Sequence, residues 1–148
     1  MMDAFRWKVR VKGSFGKGAM VYVRQHRFES GAAASFDIEH PKVSAVEYAL
    51  GALGADVVAM LQAVCRERRI EVNEVEAVVS GELGSPETHL NVVDAKGNPG
   101  MAGVEVAVFA SSPAPEAVLR AAWDEALRRS PLVNTLGEMV NLELRVDI

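Results

Sequence analysis

Few side chains in this chain are placed to do chemistry, and the most conspicuous is an aspartate where an apolar residue belongs. In residues 44–65, SAVEYALGALGADVVAMLQAVC, Asp56 stands among small and aliphatic neighbours. A carboxylate taken out of water is costly unless it is paired or protonated, so Asp56 requires a partner or marks a site. Cys65 is the only thiol, which leaves no internal disulfide and no CxxC redox pair. At about 100° per helical residue it lies on the side opposite Asp56. Its simplest role is a small buried apolar filler. Only if exposed would Arg66 and Arg68 lower its pKa. His26, His40 and His89 lack metal-ligand spacing, so neither a metal nor a cofactor is expected.

Two further motifs read as architecture. GSFGKG (residues 13–18) lacks the spacing of a phosphate loop and joins two strand-like runs, which makes it a hairpin turn. Arg6, Lys8, Arg10 and Lys12 alternate with Phe5, Trp7, Val9 and Val11, the pattern of a half-buried strand with a solvated basic face. The net charge of −4 argues against nucleic acid as a partner.

The elements that must position Asp56 follow from periodicity. AMVYVRQHRF is expected as a second strand, and GAAASFDIEHP as a third carrying Phe36 and Ile38, closed by Pro41. Ser44 and Glu47 have the spacing of a capping box, opening a long helix to about Arg69. Its length invites a transmembrane reading, but Glu47, Asp56 and Gln62 favour a fully buried helix of a protein that does not enter a membrane. IEVNEVEAVVSGEL and GVEVAVFA alternate as strands, with a small hairpin expected near residues 94–97 between them. Residues 111–131 form an amphipathic helix with an apolar stripe of Val118, Leu119, Ala122, Trp123, Ala126 and Leu127. Its other side offers Glu116–Arg120, Asp124–Arg128 and Glu125–Arg129 as i,i+4 pairs. A last strand ends the chain. The order is βββ-α-ββ-α-β, an α+β fold, expected as a single domain over residues 1–148.

Two segments in this order resemble the OsmC/Ohr family, whose characterised members reduce organic hydroperoxides. SAVEYALGALGADVVAMLQAVCRERRIEVNEVEAVVSGE is similar to the family's central helix with its peroxidatic cysteine and the strand after it. SPLVNTL is similar to its resolving-cysteine segment, Cys-Pro-Val-Ser-x-Thr-Leu. The resemblance implies that Asp56 stands at the peroxidatic position and Ser130 at the resolving one. It implies that Glu47 matches the glutamate near the helix start, with Ala45 where the family has proline. It places an arginine near the third strand, where this chain has Ser35 and Phe36 and where Arg24 and Arg27 are nearest.

Hydroperoxide reduction needs a thiolate to attack the O–O bond and a second thiol to resolve the sulfenic acid. A carboxylate and a hydroxyl do neither. The resemblance therefore implies an OsmC-like fold, an intertwined homodimer around paired central helices, a cytoplasmic location and no thiol peroxidase activity. It implies a binding or structural role, with a small apolar ligand in the former pocket. Because the family's thiols can form a disulfide, it also implies that Asp56 and Ser130 are neighbours able to share a hydrogen bond. The alternative is an enzyme, with residual redox chemistry through Cys65 or acid/base work by Asp56 with Ser130.

Overall fold

The computed structural model describes residues 5–148, which form two compact units, one reaching to Ala49 and one from Leu50 onward. In the first, β1 (Arg10–Gly13), β2 (Ala19–Val23) and β3 (His26–Ser30) form an antiparallel sheet in that order. The β1–β2 turn is the expected glycine hairpin. Gly16 and Gly18 have positive φ, and a Cβ on Gly18 would sit 2.5 Å from the Ser30 carbonyl oxygen. The β2–β3 turn was hidden inside AMVYVRQHRF, because its tight bend uses Arg24 at φ 52° rather than glycine or asparagine.

The third strand is thus His26–Ser30, and the expected strand through Phe36 and Ile38 is a loop. Both side chains are exposed there. Residues 6–9 are not a strand either, and Phe5, Trp7, Val9 and Val11 are exposed, Trp7 by 84%. The half-buried strand expected from their alternation has no cover within the described chain.

Helix α1 (Ala45–Glu67) opens on the expected capping box. The Ser44 backbone N–H and hydroxyl both donate to Glu47 Oε1, at 2.9 and 2.8 Å, and the Glu47 N–H donates to Ser44 Oγ at 3.2 Å. The N–H groups of Ala45 and Val46 donate to the carbonyls of Ala32 and Ala33, which satisfies donors a helix start leaves orphaned. At the far end the Ile70 N–H donates to the Cys65 carbonyl, and the Arg69 N–H to that of Arg66. This is a Schellman closure with Arg69 at φ 56° in the place glycine usually takes.

In the second unit, β4 (Glu74–Leu83) pairs antiparallel with β5 (Met101–Ser111), and β6 (Asn141–Asp147) pairs parallel with β5. The connection to β6 carries α3 (Glu116–Arg129) and the short α4 (Pro131–Leu136). The 84–100 connection holds a one-turn α2 (Pro86–His89), capped by Ser85, instead of the expected hairpin. The core joins Leu53, Val57, Leu61 and Val64 of α1, Val104, Val106 and Val108 of β5, and Leu119, Ala122, Trp123 and Ala126 of α3. Gly54 lets α1 approach the sheet, since a Cβ there would meet Val79 Cγ2 at 2.9 Å.

α1 is long and apolar enough to cross a membrane by length and hydropathy alone, yet one face of it belongs to this core. It is not buried all round. Ala52, Ala55, Ala59 and Gln62 on its other side are exposed. On α3 the apolar stripe is as expected except that Val118 is exposed. Of the three ion pairs anticipated there, Glu116–Arg120 forms, at 2.8 Å. Arg128 instead takes Glu125, one turn back, and Arg129 leaves the helix surface for Glu67.

Candidate functional site

Asp56 and Ser130, 74 positions apart, meet in a direct hydrogen bond in which the Ser130 hydroxyl donates to Asp56 Oδ2. Asp56 lies at the border between the buried and exposed sides of α1 and is half-buried. Ser130 is 1% exposed. The expectation of a fully buried carboxylate is therefore corrected to a carboxylate with one oxygen engaged by the chain.

The local sequence explains how Ser130 is aimed. It ends α3 in extended backbone and at once caps α4, with Pro131 at the first helical position. Proline has no N–H, so the first amides needing partners are those of Leu132 and Val133. The Leu132 N–H donates to Asp56 Oδ2 at 3.1 Å, and the Val133 N–H donates to Ser130 Oγ at 3.1 Å. Asp56 thus acts as a second cap, supplied by another helix, and the first turn of α4 has no orphan donor.

Two further residues hold this corner, Asn134, which the sequence does not single out, and Arg129, expected there to pair with Glu125. Asn134 Nδ2 donates to the carbonyl oxygens of Ser130, Leu127 and Arg128, the first at 2.7 Å. Arg129 grips Glu67 with both guanidinium nitrogens, at 2.7 and 3.1 Å. Hydrogen bonding to Arg129 holds the Glu67 carboxyl below its ordinary range. The Ser-Pro pair is the sequence signal for such a corner. The Arg129–Glu67 contact spans 62 positions and carries no local signal.

The remaining residues from the sequence stand elsewhere. Glu47 is occupied by the capping box, and the donors of Ser44 hold its carboxyl below the usual value. Arg24 forms the β2–β3 turn and Arg27 lies on exposed β3. Cys65 is 2% exposed in the core, where burial pushes its thiol pKa up and Arg68 pulls it only partly back. Among the described residues, no group of three or more His, Cys, Asp or Glu side chains could hold a metal ion.

Chemically, Asp56 Oδ2 already accepts two donors, and the Ser130 proton is directed to a carboxylate rather than an imidazole. The serine is therefore not set up as a nucleophile of the Ser-His-Asp kind.

A family model described as OsmC-like protein matches residues 38–145. A search of curated protein sequences returns no match. Solved structures show the same fold. An OsmC-like protein from Mycoplasma pneumoniae superposes with a TM-score of 0.79 at 16% identity, covering 96% of each chain. An organic hydroperoxide resistance protein OsmC from Legionella pneumophila gives 0.70 at 16% identity, covering 97% of this chain and 98% of that one. The organic hydroperoxide resistance protein OhrB of Bacillus subtilis gives 0.65 at 16% identity, covering 97% and 99%.

Proposed function

The chain belongs to the OsmC-like protein family, and we propose that within it this protein has exchanged thiol peroxidase chemistry for a carboxylate–hydroxyl clasp and serves as a homodimeric ligand-binding or structural module. The observation that carries the proposal is the direct bond between Asp56 and Ser130, the residues that the resemblance puts at the family's two thiol positions. Neither oxygen side chain can form a sulfenic acid or a disulfide. Cys65 supports the same reading, because a buried thiol with a raised pKa is a poor source of thiolate and has no second cysteine to resolve it.

The homodimer is supported by the exposed side of α1. Ala52, Ala55 and Ala59 are small, which lets a second backbone approach closely, and an apolar helix half open to water needs cover. A single unpaired cysteine fits the reducing cytoplasm, where this reading places the protein.

The test is consumption of an organic hydroperoxide by the wild type and by Cys65→Ala, with a dithiol reductant supplied. The expected result is no turnover above buffer for either. Turnover that disappears with Cys65→Ala refutes the proposal, and gel filtration that gives a monomer removes the dimer from it.

A further inference from the structure

The first unit gathers cations that it does not neutralise. From Phe5 to Phe28 the chain carries seven lysine and arginine residues and no aspartate or glutamate, although its net charge is −4. Lys12 and Lys17 of that stretch, joined by Lys42, line a cavity of about 280 Å³ together with Ser14 and Glu29. Lys12 stands on β1 in the same cross-strand row as Met20 and Glu29, and Ser14 and Lys17 belong to the β1–β2 hairpin. Lys42 is brought in by the segment after β3. A Cβ on Gly31 would crowd the Lys42 Cβ at 3.0 Å, so glycine lets that segment close on the sheet, and the Gly31 N–H donates to the Val43 carbonyl at 2.9 Å. The Lys42 N–H donates to His40 Nδ1 at 3.1 Å, and Lys42 Nζ donates to the Lys17 carbonyl at 3.2 Å. Lys42 is half-buried, and among the described residues no carboxylate forms an ion pair with it, with Lys12 or with Lys17.

We propose that this cavity binds the phosphate group of a small phosphomonoester. The inference uses neither Asp56 nor Ser130 and goes beyond the reading of their clasp. Three ammonium groups against the single carboxylate of Glu29 leave two positive charges unanswered. A phosphomonoester carries about −1.5 to −2 near neutral pH, which matches that surplus. Lys42 keeps two of its three ammonium protons after the bond to Lys17, and the Ser14 hydroxyl is a further donor for a phosphate oxygen. Such charge-assisted bonds are about twice as strong as neutral ones. A half-buried ammonium without a counterion carries a desolvation cost that a bound dianion offsets. A carboxylate ligand brings half the charge and leaves the rest unanswered. The cavity is close to the lower limit of small-molecule sites, about 300 Å³, so the body on the phosphate is short. The glycine-rich hairpin is thus no phosphate loop, yet it offers Ser14 and Lys17 to the same group through side chains instead of a run of amides.

The test is an amide NMR titration of the full chain with glycerol 3-phosphate, glycerol and acetate, at one ionic strength held with sodium chloride. The reporters are the amides of Ser14, Lys17 and Lys42. Glycerol 3-phosphate is expected to shift them saturably, acetate to bind roughly tenfold more weakly or worse, and glycerol to leave them unmoved. Lys42→Met, which keeps the aliphatic stem and removes the charge, is expected to weaken glycerol 3-phosphate by roughly tenfold. Glu29→Gln, which removes the opposing charge, is expected to tighten it by roughly twofold or more. The ligand series needs no variant, and a variant that fails to fold cannot bind more tightly, so the matter is decided even if Lys42→Met unfolds. No saturable shift with glycerol 3-phosphate, a shift that acetate matches, undiminished binding by Lys42→Met, or no gain with Glu29→Gln each overturns the proposal. Phosphatidylglycerol vesicles in a flotation assay are expected to bind less tightly, per phosphate, than the soluble ester. The reverse order assigns the cations to a lipid surface and overturns the proposal as well. Consumption of peroxide bears on none of these outcomes, so this inference and the reading of the clasp fail separately.

Discussion

Replacing Ser130 with alanine removes one oxygen and two interactions. The hydroxyl caps α4 by accepting from the Val133 N–H at 3.1 Å, and loss of such a cap costs about 1 kcal/mol. It also donates to the Asp56 carboxylate, and a hydrogen bond to a charged group contributes about 1.5–3 kcal/mol. Asp56 is half-buried and keeps the Leu132 N–H, so water and that amide recover part of the second loss, and its lower limit applies. The sum is about 2.5 kcal/mol. For a chain of this size that lowers the melting temperature by about 5–10 °C. The assay is denaturant unfolding of the wild type, Ser130→Ala, Asp56→Ala and the double variant. The coupling from the double-mutant cycle should be about 1.5 kcal/mol, because each single change removes the shared bond. A Ser130→Ala loss below about 0.5 kcal/mol, within the range of an ordinary surface change, would refute the idea that the clasp fastens α4 to α1.

The double variant Asp56→Cys with Ser130→Cys should close a disulfide under mild oxidation, leaving only Cys65 to react when the oxidised protein is unfolded and its thiols titrated; three reactive thiols would contradict the site geometry. Leu61→Ala, in the core between α1 and the sheet, should cost about 2–5 kcal/mol in urea unfolding, and a loss under about 1 kcal/mol would place it outside the core. Arg69→Gly should raise stability by about 0.5–1 kcal/mol, since the left-handed closure of α1 strains any residue with a Cβ; a loss of stability would mean that the arginine side chain outweighs the strain. Glu47, held below its ordinary carboxyl value of 4.5 by Ser44, stabilises the fold above that value and loses the contribution as pH falls through its lowered native value. The wild type should therefore melt above Glu47→Gln at neutral pH, with the gap closing in acid, and a gap independent of pH would count against the ionised capping box.

The parts of the structure legible in the sequence are those with local chemical reasons. The capping box follows from Ser44 and Glu47 three positions apart, and the core faces of β4, β5 and α3 from alternation and helical spacing. The β2–β3 turn was illegible because Arg24 adopts a positive φ that residue type does not announce. The half-burial expected of residues 5–11 fails, and only Arg10 and Val11 of them are strand, because alternation identifies which side chains are apolar and says nothing of whether the same chain covers them. Asp56 and Ser130 were paired only through a resemblance spanning both segments, since no periodicity links positions 74 apart. The Leu132 amide and Asn134 lay beyond reach, because backbone donors and a corner asparagine take their meaning from geometry.

The double duty of Ser130 bears on descent. A lone change of Ser130 to cysteine would replace the cap of α4 with a weak acceptor, and a lone change of Asp56 would deprive the Leu132 amide of its partner. Each single step toward a thiol pair passes through a less stable intermediate, although the two together form a covalent bridge. That is sign epistasis. A lineage that carries the oxygen pair is held there by folding stability, independently of selection on any other property.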